Sequence, residues 1–445
     1  MTALRNRQAA VTPQPSLPAF VHDIFMTRCS FSIYIAVAVA MSLTPSSHAA
    51  GKKELVPKTA AVAPPSATKS AEQVAGAGLA EARLIEVYQL VAKSQGREAL
   101  AKAEKLVHDY PNFQLAQLVY GDLLAARIRA IRTLGDVPEA LLQTAAPALG
   151  ELRNESQLRL KALRERPPPG AVPSEFLALA PRNKHAIAID ASRSRLYLFE
   201  NRPAGLTLVA DYYISVGKSG LEKNAEGDLR TPLGVYFITS NLDPKSLKDF
   251  YGSGALPISY PNVLDSKRGK TGRGIWLHGT PPEQFSRPPQ ATDGCVVLAN
   301  PDLEQIIRTV EVRTTPVVIS QRLNWVTPHH ARSDSKHFED ALTAWKTAKS
   351  SGNMNQVLSF YSPDFNSNGK TLTEWTPSLR GEMTKVQGRA IQLKDLSLLR
   401  WTDAADTMVV TFGEVAEGAR TGPVKRQYWT RQSSQWKIFY EGIMR

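Results

Sequence analysis

The chain has 445 residues, 42% of them hydrophobic and 21% charged, close to ordinary globular usage. That excludes a disordered chain, a collagen-like repeat and a polytopic membrane protein, and at roughly 150 residues per domain the length suggests about three domains. A formal net charge of +13, from 54 Lys and Arg against 41 Asp and Glu, favours an anionic partner, and two cysteines exclude a disulfide scaffold.

Phe31 to Leu43 is an uncharged apolar run, preceded by Arg28 and followed by small residues ending at Ala49-Ala50. The order reads as a secretory signal over residues 1–50, with Met26 as an alternative start and an uncleaved N-terminal anchor as the alternative reading. The run is shorter than the ~20 residues that span a bilayer. Either way the rest of the chain is expected in the periplasm or cell envelope. Export argues against nucleic acid as partner and leaves cell-wall polymer or a membrane surface. Cys29 falls inside the signal, so Cys295 is the one thiol expected after cleavage, unable to form an internal disulfide.

Residues 51–78 are rich in Ala, Pro, Ser, Thr and Lys without an apolar period, and read as a flexible linker. Residues 79–166 read as helical. Leu84, Val87, Tyr88 and Val91 repeat at helical spacing, Ala99, Ala103, Leu106 and Val107 form a second stripe that stops at Pro111, and Leu115, Leu118 and Val119 begin a third. This order resembles one and a half tetratricopeptide-type repeats. Such a fragment needs a covering domain, so it is either a cap on the next domain or a protein-docking module. Pro167 to Gly170 marks a boundary. From His185 the period falls to two, with strands at 186–190, 195–199, 206–216, 234–240 and 317–319, giving a β-rich domain over 183–323.

Residues 334–445 change again. Amphipathic helices are expected over 338–348 and 353–361, then strands over 407–415, 424–430 and 436–440, with Ser433-Ser434 at a hairpin tip. Helices followed by a curved sheet resemble a small α+β cone of the NTF2-like type, expected to serve interaction or act as a lid. His329, His330 and His337 lie in a polar linker without metal-ligand spacing, so neither metal nor cofactor is expected.

The chemistry concentrates at Ile275-Trp276-Leu277-His278-Gly279 and at Thr292-Asp293-Gly294-Cys295, with 295 − 278 = 17 residues between the two functional side chains. A thiolate attacks carbonyl carbon, and a neighbouring imidazole takes its proton or stabilises the anion. Gly294 permits close backbone approach, and backbone N–H groups at Gly294 and Cys295 are candidates to receive an oxyanion. Asn300-Pro301-Asp302 reads as a helix start with Asn as cap.

Together with Thr231-Pro232-Leu233-Gly234-Val235-Tyr236-Phe237 upstream, these residues resemble the L,D-transpeptidase catalytic domain (YkuD) family over about 140 residues, His185 to Ser320. The resemblance implies a multidomain α and β fold class: a helical N-terminal region, a β-rich L,D-transpeptidase-like catalytic domain and the α+β NTF2-like domain. It implies Cys295 as nucleophile, His278 as general base and acid, and Gly294 as the backbone contributor to the oxyanion site. Asp293 and Thr292 are candidates to orient the pair, Asp293 alternatively capping a turn. Two departures stand out. Asp293 replaces the His common in the family, and Val297 replaces an Arg two residues after the Cys, removing a fixed cation from the donor site.

Peptidoglycan stem peptides carry free carboxylates, which suit a basic protein. Arg273, Arg287, Lys218 and Arg230 lie near the motifs in sequence, and Arg273, Tyr236, Gly279 and Arg287 are the candidates for substrate contact. The basic, glycine-rich run Lys267 to Gly274 is expected as a mobile loop over the site. The expected activity is an exported cysteine L,D-transpeptidase passing a stem tetrapeptide's acyl group to an amine. The alternatives are an L,D-carboxypeptidase with water as acceptor, a lipoprotein–peptidoglycan amide hydrolase, and an inactive wall-binding scaffold. Envelope proteins are expected partners for the helical and NTF2-like domains, as in cell-shape L,D-carboxypeptidases, which the layout resembles.

Overall fold

A computed structural model describes residues 78–386 and 388–444; the expected signal, Cys29 and all but the last linker residue lie outside them. Helices α1 (Leu79–Ala92), α2 (Gly96–Asp109), α3 (Gln114–Ala125) and α4 (Glu139–Arg164) open the described chain. The break between α1 and α2 falls at Ser94, which takes φ 59°, and Gly96 already belongs to α2. Leu84, Val87, Ala99, Ala103, Leu106, Phe113, Leu115 and Val119 form one core, and Phe285 and Ala299 of the next domain complete it. The apolar face is thus covered as a cap would be.

Charge reinforces that seam. Glu81 of α1 is gripped by Arg195 at 2.7 Å and by Arg159 of α4 at 2.9 Å. Arg195 also holds Asp211 at 2.6 Å, and Arg159 holds Glu155 at 2.7 Å. Burial alone would raise the Glu81 carboxyl, but the two guanidiniums outweigh it and keep the group low.

After β1 (Val172–Pro173) and β2 (Phe176–Ala178) comes the β-rich domain. Its main sheet joins β3 (His185–Asp190), β4 (Arg195–Arg202), β5 (Gly205–Tyr213), β7 (Gly234–Phe237) and β12 (Pro316–Ser320) in the order β5-β4-β3-β12-β7. Strand β12 runs parallel to β3 and antiparallel to β7. One face carries Ile187, Ile189, Leu196, Leu198, Val317 and Ile319 into the domain core. The other carries Ala186, Ala188, Tyr197, Phe199 and Val318 against the C-terminal sheet. Burial on both faces explains why β3 and β12 are almost continuously apolar. The short strands β6 (Val216–Gly217) and β10 (Gln290–Thr292) pair, and β8 (Ala255–Pro257), β9 (Trp276–His278) and β11 (Val296–Val297) form a second sheet in the order β11-β9-β8. Helices α5 (Val263–Lys267) and α6 (Asn300–Thr309) complete the domain.

The C-terminal part contains β13 (Trp325–Val326), α7 (Pro328–Ser350), α8 (Met354–Leu358), β14 (Asn366–Ser367), β15 (Lys370–Thr371), α9 (Leu372–Val386), and the long strands β16 (Ile391–Thr402), β17 (Asp406–Ala416), β18 (Val424–Gln432) and β19 (Gln435–Ile443). Its sheet runs β19-β18-β17-β16-β2, so its edge strand comes from ahead of the catalytic domain. Gln432 pairs with Gln435, leaving Ser433-Ser434 as the hairpin tip. Two expectations are corrected here. His329, His330 and His337 lie on α7 rather than in a linker, because Thr327 caps the helix at His330 N. The run from Lys267 is tied down at its start rather than free: Lys267 pairs with Asp364, and Arg268 binds Asp403 at 2.5 and 2.7 Å, tying the catalytic domain to the C-terminal one, while its far end reaches Cys295 through the Gly274 carbonyl.

Candidate active site

Register fixes the geometry around the thiol. Strands β9 and β11 pair in parallel, Val296 opposite Leu277 and Val297 opposite His278. Extending that pairing by one residue places Cys295 beside Trp276. Because side chains alternate, Leu277 and Val296 enter the core, while Trp276, His278, Cys295 and Val297 share the opposite face. Cys295, in the bend just ahead of β11, is thus set diagonally across from His278 of β9, with Cα atoms roughly 8 Å apart when the strand spacing is carried on by one residue.

The imidazole of His278 is buried. Its Nδ1 lies 2.8 Å from the Gly279 carbonyl oxygen, which can only accept, so Nδ1 carries the proton and Nε2 offers a lone pair. Tyr251 packs edge-on at 5.1 Å and Phe250 lies tilted at 5.8 Å between ring centroids. Burial pushes the imidazole down to about 4, nearby Arg287 adds to the effect, and the Gly279 bond opposes it. The ring is therefore neutral, a free base, at neutral pH.

Cys295 is partly exposed, and its thiol donates to the Gly274 carbonyl at 3.5 Å. Burial of the sulfur raises the thiol above its ordinary value, against the opposing pull of the Trp276 backbone and Arg287. The resting pair is a neutral thiol and a neutral imidazole.

The turn that presents the thiol is built by two threonines. Thr292 Oγ1 donates to the Cys295 carbonyl at 2.7 Å and accepts from Gly294 N at 3.1 Å. Thr231, from the Thr-Pro motif, donates to the Gly294 carbonyl at 2.9 Å and accepts from Gly217 N at 2.8 Å. Gly294 sits at φ 118°, and a Cβ there would stand 2.7 Å from the Arg230 carbonyl oxygen. The glycine thus supplies an L-forbidden conformation and close approach. Its N–H, expected to face an oxyanion, is spent on Thr292.

Other expectations divide. Asp293 does not orient His278: it is exposed and pairs with Lys218 at 2.8 Å, while Gly279 holds Nδ1. Tyr236 is fully buried with its hydroxyl donating to Leu233 O, so it belongs to the core and not to a substrate surface. Gly279 orients the imidazole through its carbonyl, and any side chain on it would collide with Asn300 Oδ1. Arg273 is exposed on the segment preceding β9. Arg230 donates to the Leu221 carbonyl at 3.0 Å. Arg287 is buried, its guanidinium 4.5 Å over the Phe250 ring, close enough to act electrostatically on both His278 and Cys295.

Phe250 and Tyr251 escaped the sequence reading, in which Asn300 reads only as a helix cap. Asn300 does not cap its helix, where Ala299 holds that position. Its Oδ1 accepts from Ser253 N at 2.9 Å and Thr280 N at 3.2 Å, and its Nδ2 donates to Thr280 O at 2.8 Å. It therefore pins the chain just past His278. The Asn at a helix start was a visible signal with the wrong meaning; Phe250 and Tyr251 gave none. Among the described residues, no cluster of His, Cys, Asp or Glu could hold a metal ion.

Residues 184–319 match the family model of the L,D-transpeptidase catalytic domain (YkuD), and residues 337–442 match that of the Cds6 C-terminal NTF2-like domain. No curated protein matches the chain. Among solved structures, Bd1075 of Bdellovibrio bacteriovorus is similar, at 22% identity and TM-score 0.52, over 61% of this chain and 98% of that one. The helical cell shape determining protein Pgp2 of Campylobacter jejuni aligns at 22% identity and TM-score 0.49, over 66% of this chain and 99% of that one. The fold is thus that of a helical N-terminal region followed by a catalytic domain of the L,D-transpeptidase (YkuD) family and an NTF2-like domain of the Cds6 C-terminal family.

Proposed function

We propose that the protein is an exported cysteine L,D-transpeptidase acting on peptidoglycan stem peptides. Cys295 Sγ attacks the carbonyl carbon of the diaminoacid that precedes the terminal D-Ala of a tetrapeptide stem. His278 Nε2 takes the thiol proton as the C–S bond forms. The tetrahedral intermediate collapses, the C–N bond breaks, and His278 returns that proton to the departing D-Ala amine. The amine of a second stem then displaces sulfur, His278 relaying its proton back to the thiolate, and a crosslink results. The observation that supports this reading is the parallel β9–β11 register, Val297 opposite His278, which when extended to Cys295 sets the thiol on the His278 face, together with the Nδ1 bond to Gly279 that leaves the Nε2 lone pair for a proton. Export rests on the apolar run Phe31 to Leu43 and its small-residue exit.

The test is purified protein with disaccharide-tetrapeptides and mass readout, beside Cys295→Ala. Crosslinked dimers lost in the variant support the transpeptidase. Tripeptides without dimers assign the acyl-enzyme to water and make the protein an L,D-carboxypeptidase. Unchanged substrate refutes both.

A further inference from the structure

We infer that Arg287 is the fixed cation of the donor site, anchoring a free carboxylate of the stem peptide beside Cys295, and that the N-terminal helices hold it there. The inference deepens the acyl-transfer reading and rests on it for the identity of the carboxylate.

The first observation is an unanswered charge. Arg287 is buried, yet among the described residues no carboxylate lies within ion-pair distance of it. Its nearest acid in effect, Asp293, is exposed and engaged by Lys218. The two other guanidiniums with as little exposure are paired, Arg159 with Glu81 and Glu155 and Arg195 with Glu81 and Asp211; Arg426, over the Phe237 ring and donating to Thr411, likewise has no described acid partner but lies away from the reacting groups. A buried cation whose one described partner is an aromatic ring is poised for an anion from outside. It stands over Phe250, whose ring also faces His278, so that anion would sit at the reacting groups. The second observation is at position 297, where a buried Val occupies the strand on the Cys295 face and supplies no cation.

The third is how Arg287 is held. The segment Pro281 to Pro289 carries four prolines; its first half is held by the helical region, and its Pro288 and Pro289 carbonyls accept from Ser215 Oγ and Val216 N of the catalytic domain. Phe285 stacks on Phe113 at 4.2 Å and meets Tyr110 edge-on at 5.6 Å. Phe285 N donates to Asn112 O at 3.1 Å, and Asn112 Nδ2 donates to Pro282 O at 2.8 Å. Ser286 Oγ donates to Glu155 of α4 at 2.8 Å, and Tyr213 Oη donates to the Arg287 carbonyl at 3.0 Å. Ser286, next to Arg287, is thus gripped by α4, and the Arg287 backbone by Tyr213 of β5, both from outside the strand that follows the nucleophile. A guanidinium fork in that position matches a carboxylate bidentately.

The test compares alkylation of Cys295 by iodoacetate and by iodoacetamide in the full chain, an anionic and a neutral reagent of nearly equal size. With Arg287→Gln the iodoacetate-to-iodoacetamide rate ratio should fall about 10- to 100-fold, the span of one charge-assisted hydrogen bond. Arg287→Lys should retain part of it. Phe113→Ala, and the milder Asn112→Ala, should move the ratio toward the Arg287→Gln value with the circular dichroism spectrum kept. On turnover, tetrapeptide with a free C-terminal carboxylate should be preferred over its C-terminal amide, mainly through KM, and Arg287→Gln should erase the preference. An unchanged ratio in Arg287→Gln overturns the anion site, whether or not the protein turns over tetrapeptide. A wild-type ratio in both helix variants overturns the bracing role. A lowered ratio without amide discrimination overturns the assignment of the carboxylate to the stem terminus and leaves the acyl-transfer reading standing.

Discussion

The Cys295–His278 pair should rest uncharged, and the size of the bias follows from the site. Burial holds the imidazole at about 4 and the thiol above its ordinary 9.0. Before the attraction between the resulting thiolate and imidazolium is counted, moving a proton to this imidazole from a thiol of even ordinary acidity would cost about 7 kcal/mol. At pH 7 a thiol of ordinary acidity is about 1% thiolate, and Cys295 should be less. Proton transfer must then accompany attack, with His278 acting as a base that is already deprotonated.

The assay is the iodoacetamide rate against pH for wild type and His278→Ala, each shown folded by circular dichroism. Wild type should show a flat, imidazole-assisted component through neutral pH that falls away as the ring protonates near pH 4, then a rise with thiol ionisation above pH 9. His278→Ala should lose the flat component and merge with wild type at high pH. Turnover should fall about 100-fold or more in the variant. Superimposable curves would show that the two residues do not communicate. A wild-type thiol midpoint below pH 8 would refute the neutral pair and restore a preformed ion pair.

Gly294→Ala forces a Cβ to 2.7 Å from Arg230 O at φ 118°; it should cost about 2 kcal/mol in urea unfolding and shift Cys295 enough to lower turnover more than about tenfold. Asp302 is raised from 3.8 to about 7 by burial, with Glu81 adding repulsion. The folded state therefore ionises it later than the unfolded one, and stability should fall as pH rises from about 4 to about 7. Asp302→Asn should flatten that slope and, at pH 8, stabilise by up to about 4 kcal/mol in urea titrations; an unchanged slope refutes the assignment. The mature protein should begin near Ala50 or Gly51, read by intact mass of the envelope fraction; a terminus at Met1 or Met26 in membranes favours the anchor.

Legibility in the sequence followed the range of the interaction. The stripes of α1 to α3, the short apolar run of β3 and the Ser433-Ser434 tip are local patterns, and the structure follows them. Cys295 and His278 were readable because their motifs are short and Gly-marked. Strand β16 was missed because a register irregularity between Lys394 and Ser397 interrupts its alternation. The buried pair Lys349 and Lys425, balanced by Glu382, Glu414 and Glu441, was invisible because its members come from α7, α9, β17, β18 and β19. Tyr236 read as a surface residue because its motif neighbours catalysis, although the sheet buries it on a two-sided strand. The setting of Arg287 depends on Phe113 and Glu155, more than a hundred residues upstream, which no local pattern reports.

The same long-range contacts bear on whether the catalytic domain can stand alone. One face of its main sheet, with Ala188, Tyr197, Phe199 and Val318, is covered by Phe176, Leu399, Val409, Tyr428 and Phe439 from outside residues 183–323. Its other border lends Phe285 and Ala299 to the helical core, and its buried Arg195 depends on Glu81. A fragment of residues 183–323 would expose several large apolar side chains at once, each worth about 1.5–3 kcal/mol when buried, against a total stability of about 5–15 kcal/mol for an ordinary domain. Leaving Arg195 without Glu81 adds a further penalty, softened only by Asp211. The fragment should therefore aggregate or lack cooperative unfolding, while residues 79–444 should unfold as a cooperative whole. The measurement is thermal unfolding by circular dichroism with size-exclusion chromatography. A monomeric 183–323 fragment with a sharp transition would show that the two borders are accessory surfaces, and that the helices do not hold the segment carrying Arg287 as part of one fold.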